Sequence, residues 1–352
     1  MTNRPRSKIT VSVFIALSFL SLNTVHGTLH GSITALEANG QMSGTVEHKI
    51  QNQTDAGDKQ NIVRLLASLT QYRLEEAANI LEITSKQDAV RMTPYFGNIS
   101  QLHMGISENL DSEKRNVAKE ILSHNKDFGS IYFTMPNGDV YIGEPFYDQK
   151  QLPRLNFADR DWYKGVTSTN ATYTSSVFFS ASIHAPATAI AVPVYSTTEN
   201  SNIISNSSDN SNGNNNIDNK TGYLLTGYWV GIVDLQSVNE TIKNLGLDKN
   251  NQITIVDHEG NEFINSNTSK NWKDSNVISN ANDNSTLNPT DKEHLNQPQK
   301  INSLANLASV KKALSGNSGS GVEIVDGVRL SITYQPLQAG THTWAVVSMS
   351  KT

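Results

Sequence analysis

With 352 residues, 37% of them apolar, the chain is long enough for two domains or one large one. It contains no cysteine, which excludes disulfide frameworks and thiolate metal or nucleophile sites. Its formal net charge of -5 leaves no basic footprint for nucleic acid.

Arg4, Arg6 and Lys8 precede an apolar run from Ile9 to Leu22, followed by Val25-His26-Gly27, small residues suited to signal cleavage. A helix that short rises only ~21 Å, against a hydrocarbon core of ~30 Å. Two readings of residues 1–27 stand, a signal peptide and an uncleaved anchor. Both export the body of the chain, and no second hydrophobic span follows, so the sequence leaves no room for a cytoplasmic kinase, cyclase or signalling coil. Asn-x-Ser/Thr sequons recur from Asn52 to Asn284, as chance alone would give in so Asn-rich a chain.

Residues 28–58 are polar and aperiodic, a linker or stalk. Ile62, Leu65, Leu66, Leu69, Tyr72, Leu74, Ala77, Ala78 and Leu81 then recur at three- and four-residue spacing. They predict a helix over about Lys59–Lys86, ~40 Å long, a spine that packs along more than one module. A weaker helix is expected over Asp111–His124, with Val117, Ile121 and Leu122 as its apolar face. Alternation in Ser130–Met135 and Val140–Gly143 around Asn137-Gly138 predicts a hairpin. Leu152–Arg160 reads as a loop and Asp161–Gly165 as a short helical turn ended by the glycine. Strands follow at Val177–Ser182 and Ala187–Tyr195. The Asn/Ser/Asp tract 197–219 reads as a disordered loop, Gly222–Val233 as a strand and Leu235–Leu247 as a helix.

The order then repeats. A hairpin forms around Glu259-Gly260, Asn265–Lys300 is polar and irregular, and Ile301–Leu314 reads as a helix. Strands are expected at Gly321–Val325, Val328–Tyr334 and Thr343–Met349. The implied fold class is α+β: a long helix, then two modules with antiparallel sheets.

Arg160, Trp162 and Tyr163 crowd a cation, an indole and a phenol into four positions. A guanidinium forks onto a carboxylate, while the rings supply a wall and a hydrogen-bond donor. The competing reading is packing, with the rings capping a core and Arg160 stapling a loop to Asp159 or to a backbone carbonyl. No His cluster has metal spacing, the Asp209–Asn214 tract departs from a calcium loop, and Gly316–Gly321 lacks the lysine of a phosphate loop. No nucleophile elbow or carboxylate pair indicates an enzyme, and no cofactor motif is present.

Arg160-Asp-Trp-Tyr, the Ala-x-Pro-Val of residues 191–194 and Gly231-Ile-Val-Asp234 resemble the double Cache (dCache) family of extracellular sensor domains over about residues 59–350. The resemblance implies two PAS-like (Cache) modules after the helical spine and second helix (59–125). The membrane-distal module is 126–247 and the membrane-proximal one 248–352. In the amino-acid-binding branch, residues matching Arg160, Trp162 and Tyr163 hold the ligand carboxylate. The ammonium is held by a Tyr before the Arg, by a Tyr and an Asp on the next strand, and by a later Asp. Here Leu155 stands in place of the first Tyr, Phe178 and Ser180 in place of the strand pair, and only Asp234 keeps its identity. The resemblance therefore implies a ligand site of Arg160, Trp162, Tyr163, Phe178, Ser180 and Asp234, with an intact carboxylate half and a depleted ammonium half. The expected partners are a carboxylate or amino-acid-like small molecule and a membrane signalling protein, with the membrane met only through the N-terminal segment. A surface structural protein on the same scaffold, or the ectodomain of a longer chemoreceptor or histidine kinase, is the alternative.

Overall fold

The computed structural model describes residues 56–196, 223–245, 251–266 and 301–352. The expected leader, nearly all of the stalk, the tract 197–219 and most of the polar stretch 265–300 lie outside the described residues. Among the described residues, no helix is long and apolar enough to cross a membrane.

The first helix, α1 (Ala56–Thr84), begins and ends within three residues of the range its periodicity predicts. Its buried stripe runs through Val63, Leu66, Thr70, Leu74, Ala77 and Leu81, one face at 3.6-residue spacing. Leu65 and Tyr72, read as part of that stripe, fall on the exposed side. The helix touches both sheets. Lys59 donates to Ser350 and Gln71 accepts from the Gln338 backbone, while Trp229 donates to Thr84 and Thr172 to Glu82.

After α2 (Asp88–Arg91) comes α3 (Ser112–His124), started by the Asp111 carboxylate accepting the Lys114 N–H. The first sheet contains β1 (Phe128–Thr134), β2 (Val140–Glu144), β3 (Tyr173–Thr174), β4 (Phe178–Ser180), β5 (Ala185–Tyr195) and β6 (Leu225–Val233). Their order is β2-β1-β6-β5-β3, with β4 paired to β5, and every pairing is antiparallel. Central β6 is buried throughout. Trp229 and Gly231 face α1, and Tyr228, Val230 and Ile232 face the loops and helices of the other side. Between β2 and β3 lie α4 (Phe146–Lys150) and α5 (Asp161–Thr169), and α6 (Gln236–Asn244) follows β6.

The second sheet contains β7 (Asn251–Val256), β8 (Glu262–Asn265), β9 (Gly319–Val325), β10 (Val328–Ala339) and β11 (His342–Lys351), in the order β8-β7-β11-β10-β9. Here α7 (Ala308–Leu314) packs on the face made by Val256, Ile332, Ala345 and Val347.

The two halves repeat each other in detail. In the first hairpin Gly138 has φ +89° and accepts from Phe157 N–H, Val140 N–H donates to Leu155, and Asp139 bridges Asn156. In the second, Gly260 has φ +81° and accepts from Leu304 N–H, Glu262 N–H donates to Asn302, and Asn261 bridges Ser303. A Cβ on either glycine would strike the returning loop, at Ala158 or Ala305, so both positions demand glycine for reach as well as for φ. Three residues past each returning contact a helix starts, α5 after Arg160 and α7 after Leu307.

Two helix boundaries differ from expectation by more than three residues. α5 does not stop at Gly165; it runs to Thr169 and ends at Asn170, which takes the left-handed conformation (φ 51°). Gly165 is instead where the Tyr173 ring comes to rest, 2.3 Å from where a Cβ would stand. The helix expected over Ile301–Leu314 begins only at Ala308, because residues 302–304 are held extended along the Gly260 hairpin.

Candidate functional site

The first sheet's outer face carries a cluster made from Tyr132 on β1, Tyr228, Val230 and Ile232 on β6, Ala187, Ala189 and Ala191 on β5, and Trp162 and Val166 on α5. Leu155, Phe157, Tyr163 and Phe178 pack against it. Strand alternation puts the three alanines on one side of β5, so the strand meets the cluster with methyl groups there and with the Tyr195 ring at its far end.

Arg160 caps the N-terminus of α5 with extended backbone and no capping side-chain bond. Its half-buried guanidinium lies 6.0 Å from the Phe157 ring centroid and 5.8 Å from that of Phe178. Among the described residues it has no ion pair and no side-chain hydrogen bond. Its neighbour Asp159, exposed, is taken by Arg154, which holds that carboxyl below its ordinary pKa. Burial, followed by the repulsion of Arg154, pulls the Arg160 pKa below the ordinary guanidinium value, with Asp159 opposing. The group stays charged at any physiological pH. A charge half out of water between two rings is a poor use of a guanidinium unless an anion completes it.

Trp162 is buried, edge-on to Tyr163 at 5.8 Å, and Tyr163 is edge-on to Tyr228 at 5.6 Å. The Tyr163 hydroxyl donates to the Pro136 carbonyl at 2.6 Å, tying α5 to the first hairpin. Phe178 sits under Arg160 and pairs with Ala187. Ser180, two residues along the same face of β4, is buried and shares a hydrogen bond with Ser182 at 3.0 Å; Ser182 in turn meets Ser130 at 3.1 Å. Asp234 follows β6, and its carboxylate accepts the Gln236 N–H at the start of α6.

Five of the six sequence-nominated residues therefore gather at or beside one cluster, and the sixth lies at the end of the strand beneath it. Tyr132 was missed. It carries a buried hydroxyl without a hydrogen-bond partner among the described residues. Its only signal in the sequence was a place in an alternating strand, indistinguishable there from packing. A separate open cleft of about 510 Å³, lined by Gln101, Asp139, Arg154, Leu155 and Asp159, lies at the outer side of the loop before α5 and includes none of the six.

Tyr173 rests on Gly165 and donates to Asp161, the first residue of α5. Its ring meets His342 of the second sheet edge-on at 5.3 Å, and His342 stacks on His258 at 3.9 Å. Beside it, the buried Asp257 carboxylate accepts the Val177 N–H at 2.6 Å, one residue before β4. The face that holds Phe178 and Ser180 is thus fastened to the second sheet.

No curated protein matches the chain by sequence. Among solved structures, the extracellular domain of a protein described as a histidine kinase, rpHK1S-Z16, aligns with TM-score 0.53 at 11% identity, covering 83% of this chain and 92% of that one. The ligand-binding domain of the Pseudomonas aeruginosa PAO1 amino-acid chemoreceptor PctB, solved with L-Gln, aligns at TM-score 0.45 and 14% identity, over 83% of this chain and 88% of that one. That of the Pseudomonas fluorescens chemoreceptor CtaA, solved with L-isoleucine, aligns at 0.46 and 13%, over 87% and 94%. The family model described as Cache domain, in its double form (dCache_1), matches residues 35–352. With two antiparallel sheets, each carrying its hairpin, returning loop and helix, behind one long helix, the chain belongs to the dCache family.

Proposed function

We propose that the chain is an extracellular sensor domain that binds a small carboxylate-bearing metabolite on the outer face of the first sheet and acts through a membrane partner. On this reading the distal module spans residues 126–247 and the proximal one 248–352, with Arg160 as the carboxylate-binding group, Trp162 and Phe178 as walls, and no catalytic role for any residue. The observation that carries the proposal is Arg160 itself: a half-buried guanidinium between two phenyl rings, with no ion pair among the described residues. The molecule contains its own control. Leu307 occupies the corresponding place before α7, so a helix can start there, after the same hairpin contacts, without a cation.

Calorimetry and thermal shift on the exported chain test this against acetate, propionate, succinate and the common amino acids. Simple carboxylates should bind, and Arg160→Ala should weaken them at least about tenfold, the loss of one charge-assisted bond. Failure of every carboxylate, or indifference to Arg160→Ala, would sink the proposal. So would strong binding of amino acids with no affinity for simple carboxylates. Two observations favour the rival reading of a ligand-free surface scaffold: the polar atom of Tyr163 is spent on Pro136, and the Asp234 carboxylate accepts the Gln236 N–H.

A further inference from the structure

The Arg160 end of the cluster accounts for an anion. The opposite end has its own chemistry. Tyr132 stands on β1 beside Val230 of β6, 6% exposed, within the same cluster as Trp162 and with Phe178 packed against it. Its hydroxyl is shielded from water and has no hydrogen-bond partner among the described residues. Ser130 and Ser182 are near enough to pull its pKa back down against burial, yet neither meets it in hydrogen-bond geometry. Those two serines bond to each other, and Ser182 bonds to Ser180, giving a run of buried hydroxyls, Ser130-Ser182-Ser180, that ends on the face shared with Phe178.

A buried phenol left unpaired costs on the order of 1–3 kcal/mol, so its place in a packed cluster asks for a partner. Burial pushes its pKa up to about 12, so it remains a neutral donor and acceptor. Serine hydroxyls are likewise neutral and rotate to donate or accept. None of these groups offers the fixed negative charge that a desolvated ammonium requires. The acid whose charge reaches Tyr132 is Asp148, and burial raises its pKa to about 6, which weakens it as a counter-ion. Along β4, Phe178 under Arg160 and Ser180 in the hydroxyl run are one i,i+2 repeat apart, ~7 Å. That is the span of an acid of a few carbons.

We infer that the site has a second polar end, made by the Tyr132 hydroxyl and the Ser130-Ser182-Ser180 run, which selects small hydroxy acids over the matching amino acids and unsubstituted acids. This rests on the carboxylate reading of Arg160. Proton accounting favours it, since a ligand hydroxyl can donate to one of these oxygens while accepting from the Tyr132 O–H.

The test titrates the exported chain at neutral pH with matched trios: lactate, propionate and alanine; malate, succinate and aspartate. The hydroxy acid of at least one trio should bind about tenfold tighter than both companions, the worth of one buried hydrogen bond. Tyr132→Phe should bring the hydroxy-to-unsubstituted ratio near one, and Ser180→Ala should reduce it. Circular dichroism and melting temperature separate this from misfolding, and a Tyr132→Phe chain that is folded yet keeps the full preference would overturn the inference. If the acids bind with no gain from the hydroxyl, or the amino acids bind tightest, this inference fails while the carboxylate reading survives. If nothing binds and Arg160→Ala is silent, both fail together.

Discussion

Arg160 and Leu307 stand at one position of a motif that the chain builds twice, and the difference between them shows that the architecture itself needs no cation there. The same contrast extends along the helix, where Trp162 and Tyr163 are matched by Ser309 and Val310. Other charges in the first half are architectural. Arg115 is buried on α3, pairs with Glu144 at 2.7 Å, and donates to the carbonyls of Gly143, Leu110 and Ile106. Lys114 beside it donates to the carbonyls of Ala89 and Val90. Together they pin the segment between α1 and α3, which has few apolar anchors of its own. Arg115→Ala leaves buried Glu144 with only the exposed Lys119 ammonium, 4.0 Å away, as its counter-ion, so unfolding in urea should show a loss of about 3 kcal/mol; a variant within about 1 kcal/mol of the parent, on the order of a surface pair, would refute that role. Neither residue was legible in the sequence, because a buried cation has the same letter as a solvated one and the apolar face of α3 was read through Val117, Ile121 and Leu122.

Among the elements, α5 shows how a correct local rule can give the wrong boundary. Glycine ends many helices, but Gly165 serves to admit the Tyr173 ring, and Asn170 makes the left-handed stop. Gly165→Ala therefore should destabilise the chain by about 1–3 kcal/mol through overpacking, despite the better helix propensity of alanine; a rise in melting temperature would contradict the packing assignment. Tyr173 leads on to His342, whose pKa is pulled down by burial and then by the adjacent His258 ring, while Asp161, Asp257 and Glu259 pull the other way. A lowered imidazole pKa means that the unfolded chain takes up the proton first. The stability this group permits is thus complete above its ordinary value of 6.5 and declines as pH falls through that value. Melting temperatures recorded between pH 7.5 and pH 5, a range about the ordinary imidazole value, should fall, and His342→Gln should flatten that slope. An unchanged slope would remove His342 as its source. The hairpins, the long helix and nearly every strand were readable from period and turn chemistry, whereas the junction was not: its partners are separated by long stretches of chain, and no periodicity records which ring meets which.

On the scale of the whole molecule, one buried carboxylate does much to make two sheets behave as one body. Asp257 accepts Val177 N–H from the first half and Glu259 and Asn261 N–H from its own turn. Asp257→Ala strands three backbone donors and removes a partner of the Asn261 amide, so thermal unfolding followed by calorimetry should lose cooperativity and broaden or split into two transitions. A single sharp transition at the parent temperature would show that the halves are joined by other means. Six residues were nominated by resemblance and by local chemistry, and five of them meet at or beside one cluster. What the sequence withheld was the unpaired phenol on the opposite strand, since only packing reveals which polar atoms are left without company. The long helix has a last consequence. Bonded through Thr84 and Glu82 to one sheet and through Lys59 and Gln71 to the other, it is a single rod, ~44 Å from end to end, gripped at both ends. Any tilt imposed where it holds the first sheet must reappear, magnified by that length, at its opposite tip.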